Sequence, residues 1–422
     1  MVSGTRPSSL PVIRAFRLHV LLASSVLLSA CATLQPSLPR HAVELGPDEL
    51  VPLIEVPDVH RRLRLVFDRY SSVTAPSGKP IHILAEPGVH DAHLRRARRL
   101  LTWFLTDVPG TAHGEDKAAV ANALAEQGAT LLYFASEESA QRAFYEPLRR
   151  MAIAGQDLYV TESPLVASPE WFALDHRDAA YEEVFHLVHG YGIEQGAPEF
   201  QAQIAAATEN ALGAGVYTPP ADVLAEWREE GSVDKEYIIS VLEVAFGMWA
   251  HADGASFHGE YQVARPEDLP EADPEGLAAL RAFLPDHIEH EVVLDHGFNG
   301  TFHMTYDPER PYTLRSRYFR RVALSGSRPC GVVGNAMDNE LRGNLSDNLL
   351  DGGPGTDLAI FAGRLEDYAF MNSPEGLMVI DLVPGRDGAD TLANIEFVRF
   401  RGEDHPIEDL TPLVLEPLGR DP

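Results

Sequence analysis

From residue 334 the chain repeats itself in nines, and no other feature narrows its fold as much. Gly334-Asn-Ala-Met-Asp-Asn-Glu-Leu-Arg, Gly343-Asn-Leu-Ser-Asp-Asn-Leu-Leu-Asp and Gly352-Gly-Pro-Gly-Thr-Asp-Leu-Ala-Ile align without a gap. Position one is always glycine, position six is Asn339, Asn348 and Asp357, and position eight is Leu341, Leu350 and Ala359. Three units in register mark a stacked repeat in this stretch.

The rest of the chain needs a different architecture. A length of 422 residues allows roughly two to three domains of about 150 residues, and 45% hydrophobic with 23% charged residues is ordinary for folded protein. Lys and Arg number 34 against 63 Asp and Glu, a net charge of −29 that repels polyanions and excludes nucleic acid as a partner. Two cysteines, Cys31 and Cys330, cannot make a disulfide scaffold, and Cys330 reads as a small buried residue.

Arg6, Arg14 and Arg17 precede an apolar stretch, Leu18 to Leu28, that ends in Leu28-Ser29-Ala30-Cys31. A basic start, a short apolar run and small residues before a cut are the anatomy of a secretory signal, and the run is too short to span a bilayer. An ordinary signal with a chance cysteine is one reading. The segment also resembles a bacterial lipoprotein signal, which implies that Cys31 becomes the lipidated first residue. With Ala32 following, the resemblance implies anchoring at the outer membrane or cell surface, with membrane contact only through the N-terminal lipid. Residues 31–58 then read as a proline-containing tether, and folding is expected from Val59.

Periodicity predicts an α+β region next. Ile81 to Ala85, Thr130 to Ala135 and Leu158 to Thr161 read as strands; Asp91 to Leu105, Lys117 to Gln127 and Glu137 to Ala152 read as helices. Arg95, Arg96, Arg98 and Arg99 alternate with Leu94, Leu101, Phe104 and Leu105, so the basic run reads as a solvated helix face.

The chemistry concentrates in two further helices. Asp178-Ala-Ala-Tyr-Glu-Glu-Val-Phe-His-Leu-Val-His-Gly190 is apolar almost all round. At about 100° per residue, its exceptions Glu182, His186 and His189 fall in one stripe about 60° wide, with Glu183 on the shoulder. Between Asp234 and Gly247, Glu236, Ser240 and Glu243 form a second narrow stripe. Buried charge is costly unless paired or bound to metal, so two such helices satisfy their stripes most simply by facing each other. Imidazole and carboxylate converging there is the ligand chemistry of zinc or another first-row metal. The bland alternative keeps Glu182 and Glu183 as first-turn acids favoured by the helix dipole, with His186 and His189 as core histidines. His176, His251 and His258 fall in loops and are weaker candidates.

Glu182-Glu-Val-Phe-His186 resembles the HExxH motif of zincin metallopeptidases with glutamate in place of the first histidine. Lys235-Glu-Tyr-Ile-Ile-Ser-Val-Leu-Glu-Val-Ala-Phe-Gly resembles the downstream helix that supplies the third ligand in the gluzincin branch, and Asp273-Pro-Glu-Gly-Leu-Ala-Ala-Leu resembles the segment after it. The resemblance implies zinc on Glu182, His186 and Glu236; His189, on the same stripe one turn beyond His186, is a further candidate ligand. It implies that Glu183 takes a proton from the attacking water. Ser240, Glu243 and Tyr237 become candidates for outer contacts, Tyr237 as an oxyanion donor. Two carboxylates lower the Lewis acidity of the ion, so weak or lost hydrolysis is expected.

The nonapeptides, in turn, resemble those of RTX β-rolls, which implies a parallel stack built on position eight. Calcium near Asp338, Asp347 and Asp357 is one expectation. A glycine ladder closed by asparagine hydrogen bonds without metal is the other. The resulting plan is a signal in residues 1–30, a tether in 31–58, a zincin-like α+β domain in 59–296, a β extension in 297–330, and an all-β roll with a terminal β module in 331–422. Two functions from different classes follow: a surface-anchored zinc metallopeptidase acting on peptide or protein, or a non-catalytic metal- or calcium-binding lipoprotein for adhesion or partner binding.

Overall fold

The structure, a computed structural model, describes residues 49–56, 61–173, 178–249 and 259–410. Cys31 and the signal-like segment, with His176, His251 and His258, lie outside the described residues. Among the described residues no helix is long and apolar enough to cross a membrane.

Folding begins earlier than the tether expectation allows. Strand β1 (Val51–Pro52) pairs with β2 (Arg69–Thr74), and Leu53 and Val56 are buried behind it. The sheet continues through β3 (Pro80–Ala85), β4 (Thr130–Phe134) and β5 (Gly155–Tyr159). Pairing is antiparallel from β1 to β3 and parallel from β3 to β5. The parallel half needs crossovers, which α1 (Asp91–Leu105), α2 (Ala118–Glu126) and α3 (Glu137–Tyr145) supply. Strands β3 and β4 are buried at every position, as parallel strands covered on both faces must be. Helix α3 ends well short of the expected Ala152 because Glu146 precedes Pro147, and a residue before proline resists helical geometry.

A helical layer follows: α4 (Pro169–Ala173), α5 (Ala179–Val188), α6 (Glu194–Gly196), α7 (Pro198–Ala214), α8 (Ala221–Glu230), α9 (Val233–Ala245), α10 (Leu269–Ala272) and α11 (Pro274–Arg281). Helix α5 lies at its centre, packed on α1, β5 and α9, and all ten of its residues are buried. It runs on into a π-helical turn, His189–Ile193.

From Val292 the chain winds between two six-stranded sheets. Strands β6 (Val292–Val293), β8 (Arg321–Ala323), β10 (Glu340–Arg342), β12 (Leu358–Phe361) and β16 (Phe397–Phe400) run parallel in the first, closed by antiparallel β17 (Glu403–Pro406). Strands β7 (Gly300–His303), β9 (Cys330–Val333), β11 (Leu349–Asp351) and β15 (Ala389–Ala393) run parallel in the second. The hairpin of β13 (Tyr368–Ser373) and β14 (Gly376–Asp381) closes that sheet. Each nonapeptide is half a coil, so Leu341 stands opposite Ala359 and Leu350 opposite Val332 and Leu392. These position-eight side chains and their partners fill the space between the sheets. Position one must be glycine because a Cβ at Gly334 would lie 2.1 Å from the carbonyl oxygen of Gly352 in the next coil. Helices with a mixed sheet followed by a strand-rich region is thus the observed order.

The nonapeptide turns line the edges of this strand-rich region. Successive nonapeptide turns sit on opposite edges, which separates Asp347 from Asp338 and Asp357. Each carboxylate caps a backbone N–H of a neighbouring segment: Asp338 accepts from Thr356 at 2.9 Å, Asp357 from Asn339 at 2.6 Å, and Asp347 from Ala389 at 3.0 Å. The asparagines close each turn themselves: Asn339 Oδ1 accepts from Asn335 N at 2.9 Å and Asn348 Oδ1 from Asn344 N at 2.8 Å. Asparagine side chains thus close the turns, and the three aspartates do not converge on one position.

One of the supposedly solvated arginines ties the two parts together. Arg96 is buried and grips Asp178, just before α5, with two hydrogen bonds of 3.1 and 2.8 Å, and reaches Glu289 at 3.1 Å. Arg315, on the short helix α12 (Thr313–Ser316) within the roll, donates to the same Asp178 at 3.2 Å. The Tyr181 hydroxyl donates to Glu289. One hydrophobic core runs from Ala75 to Leu410 across this junction.

Removing Asp178 leaves two guanidinium groups buried without their shared counter-ion, so Asp178→Ala is expected to cost about 3–5 kcal/mol in equilibrium unfolding. A loss within experimental error would mean that the network carries no stability.

Asp390 occupies on its edge the place that Asp357 occupies on the other, accepting from Asn348 N at 2.9 Å while its second oxygen is buried without a hydrogen-bond partner among the described residues. Burial, aided by Asp387, Asp347 and Asp381, pushes its pKa up to about 8; Asp357 rises to about 6, mainly through burial, with Glu396, Asp338 and Asp351 contributing. The folded chain therefore holds protons that the unfolded chain releases above about pH 4. This stabilisation is complete below about pH 4 and fades as pH rises through the two folded values. Melting temperature is expected to fall across that window, and Asp390→Asn should flatten the alkaline part of the fall; an unchanged slope in the variant would contradict the assignment.

Candidate metal centre

The polar stripe of α5 meets three different neighbours, because a spread of about 60° on a helix surface is wide enough to face more than one element. Its middle faces α9. There Glu182, His186 and Glu236, all buried, each offer a ligand atom, and these atoms lie within 4.8 Å of one another. Among the described residues this is the one group of three or more such side chains that converges in this way. His186 Nε2 stands 3.9 Å from Glu236 Oε2, is buried, and has no hydrogen-bond partner among the described residues.

The donor set fits a divalent ion. Two carboxylates and one imidazole in the interior carry a charge that a dication balances, and ligands 2.0–2.2 Å from a tetrahedral ion stand roughly 3.4 Å apart. Closing the 3.9 Å separation needs a shift of about half an ångström, within the reach of two rotatable side chains. Such a cluster could hold a metal ion; both classes of ligand are used by zinc and by other first-row metals.

The far edge of the stripe turns elsewhere. His189, expected as a further ligand, faces α7, where its Nε2 lies 2.6 Å from Gln201 Oε1. Gln201 Nε2 in turn donates to Asp234 Oδ2 at 3.0 Å. Burial drives the His189 pKa down to about 3, so the ring is neutral. It belongs to a buried hydrogen-bonded chain outside the ligand group.

The opposite shoulder faces the sheet. Glu183 Oε2 accepts from Gln156 Nε2 on β5 at 2.6 Å and lies 3.5 Å from His186 Nδ1. Gln156 carried no signal in the sequence, since nothing about an amide in a short strand announces a partner 27 residues away.

On α9 the remaining candidates have other duties. Ser240 Oγ donates to the carbonyl oxygen of Glu236 at 2.8 Å, one turn back, and Glu243 Oε2 accepts from Trp249 Nε1 at 2.6 Å. Tyr237, expected as an oxyanion donor, is rotated about 100° from Glu236 and gives its hydroxyl to Asp273 Oδ2 at 2.8 Å. Asp273 also accepts from Tyr261 and caps α11 through the Gly276 N–H, so the motif-like segment after α9 serves to anchor a helix. The phenol in the field of Glu236 is instead Tyr217, buried, with no hydrogen-bond partner for its hydroxyl among the described residues. Burial first, then Glu236 and Glu260, push its pKa upward, which keeps the hydroxyl protonated.

No family model, curated protein or solved structure matches the chain.

Metal stoichiometry is expected to survive His189→Asn and Tyr237→Phe and to collapse in His186→Ala, as read by elemental analysis of the purified proteins. Loss of metal in His189→Asn would return that histidine to the ligand set.

Proposed function

We propose that the chain is a zinc-dependent peptide hydrolase of weakened activity, built on a Glu182, His186 and Glu236 centre. The observation that carries this reading is the convergence of those three buried side chains from two helices, in the order that the resemblance to altered gluzincin motifs implies. Glu182, His186 and Glu236 would hold such an ion, and the chemistry it would supply is Lewis-acid activation of a carbonyl and of a water. Glu183, adjacent in sequence and buried beside His186, is the carboxylate available to accept the proton of that water. Replacing one imidazole by a second carboxylate reduces the positive charge felt by the water, and this is the source of the weakened activity.

A second reading keeps the ion and drops the reaction. The deep burial of all three ligands favours it, since a substrate must reach the ion for catalysis and a structural ion needs no entry. The basic and apolar start of the chain and Cys31 support anchoring by lipid at the outer membrane or cell surface in either case. In the roll, the asparagine-closed edges support closure without calcium.

Elemental analysis of the purified protein is expected to find close to one transition-metal ion per chain; less than roughly a tenth of an ion would remove the centre. Hydrolysis of a peptide library should fall about 10²-fold or more in Glu183→Gln. Metal-loaded protein that cleaves nothing, before and after that change, would select the non-catalytic reading.

A further inference from the structure

His186 presents its two ring nitrogens to two different carboxylates. Nε2 faces Glu236 Oε2 at 3.9 Å inside the ligand group, and Nδ1 faces Glu183 Oε2 at 3.5 Å on the other side of the ring. The same Glu183 oxygen accepts from Gln156 Nε2 at 2.6 Å. We infer that Gln156, Glu183 and His186 form a relay from the edge strand β5 to the metal centre, in which Glu183 and Gln156 are positioning residues for the ligand. This inference rests on the metal-centre reading above and adds a role that the motif does not assign to its glutamate.

The physical argument has two links. A ligating imidazole must present a bare nitrogen to the ion, so the ring proton must sit on the other nitrogen, and a carboxylate facing Nδ1 holds it there. Such a partner also raises the electron density at Nε2 and with it the affinity of the ring for the ion. Glu183 needs a support of its own to hold that orientation. Gln156 supplies it, because β5 is hydrogen-bonded along Thr130 to Phe134 of β4 and α5 packs directly on it.

The test uses cobalt(II) as the sole probe, added to the metal-free full chain and followed by its visible absorption. The unaltered protein, Glu183→Gln and Gln156→Ala are titrated in parallel. Both variants are expected to bind about 10–100-fold more weakly, and their absorption per bound ion should shift, a change that a merely structural role for Glu183 would not produce. Affinities within twofold of the unaltered protein, with superimposable spectra, overturn the relay and leave the metal centre standing. Failure of the unaltered protein to bind cobalt removes the centre and the relay together. If Glu183→Gln does not fold, Gln156→Ala, at a partly exposed strand position, decides alone.

Discussion

A carboxylate buried ahead of a helix requires a cation, and Asp178 has two. Arg96 reaches it from α1 and Arg315 from α12, so the start of α5 is fixed at once to the N-terminal helices and to the roll. Charges held in a low-dielectric interior tolerate little displacement, because the guanidinium groups would otherwise lose the counter-ion they share. The residues that follow inherit that placement. Glu182 lies one turn along the helix from Asp178, and His186 one turn further, so the register of the ligand group against α9 is set from the same end.

That connection also joins the two halves of the chain. A roll built from repeats can stack by itself, since each coil needs only its neighbours. Here the first strand of the roll, β6, begins before the expected boundary, and the helix carrying Arg315 is inserted between β7 and β8. The uninterrupted core across the junction is the apolar counterpart of the ion network. The roll thus buttresses the helix that carries the candidate ligands, whatever surface it presents to the outside.

Much of this was legible in the residues. Helix α1 spans the predicted Asp91 to Leu105, the nonapeptide register is the observed pairing register, and spacing with resemblance already groups Glu182, His186 and Glu236. What escaped shares one character. Arg96 reads like Arg95 and its neighbours, His189 reads like His186, and Tyr237 looks better placed than Tyr217. In each case two chemically equivalent side chains receive opposite fates, the arginines and the histidines even within one helical stretch. The difference lies in what another segment, distant in sequence, offers to each face: Asp178 and Glu289 for Arg96, Gln201 for His189, Asp273 for Tyr237.

The sequence by itself determined the local periods: a glycine every ninth residue, an apolar eighth position, and polar side chains at helical spacing on otherwise greasy helices. These follow from the backbone, since a helix or a coil of strand returns each side chain to its face at a constant interval. Only the tertiary structure decided which members of each stripe meet. Convergence depends on the neighbours that pack against a face and on the hydrogen-bond partners they bring, and no interval along one segment encodes those. That is why His186 reaches Glu236 across the gap to α9 while His189, one helical turn further on, is taken up by Gln201 of α7.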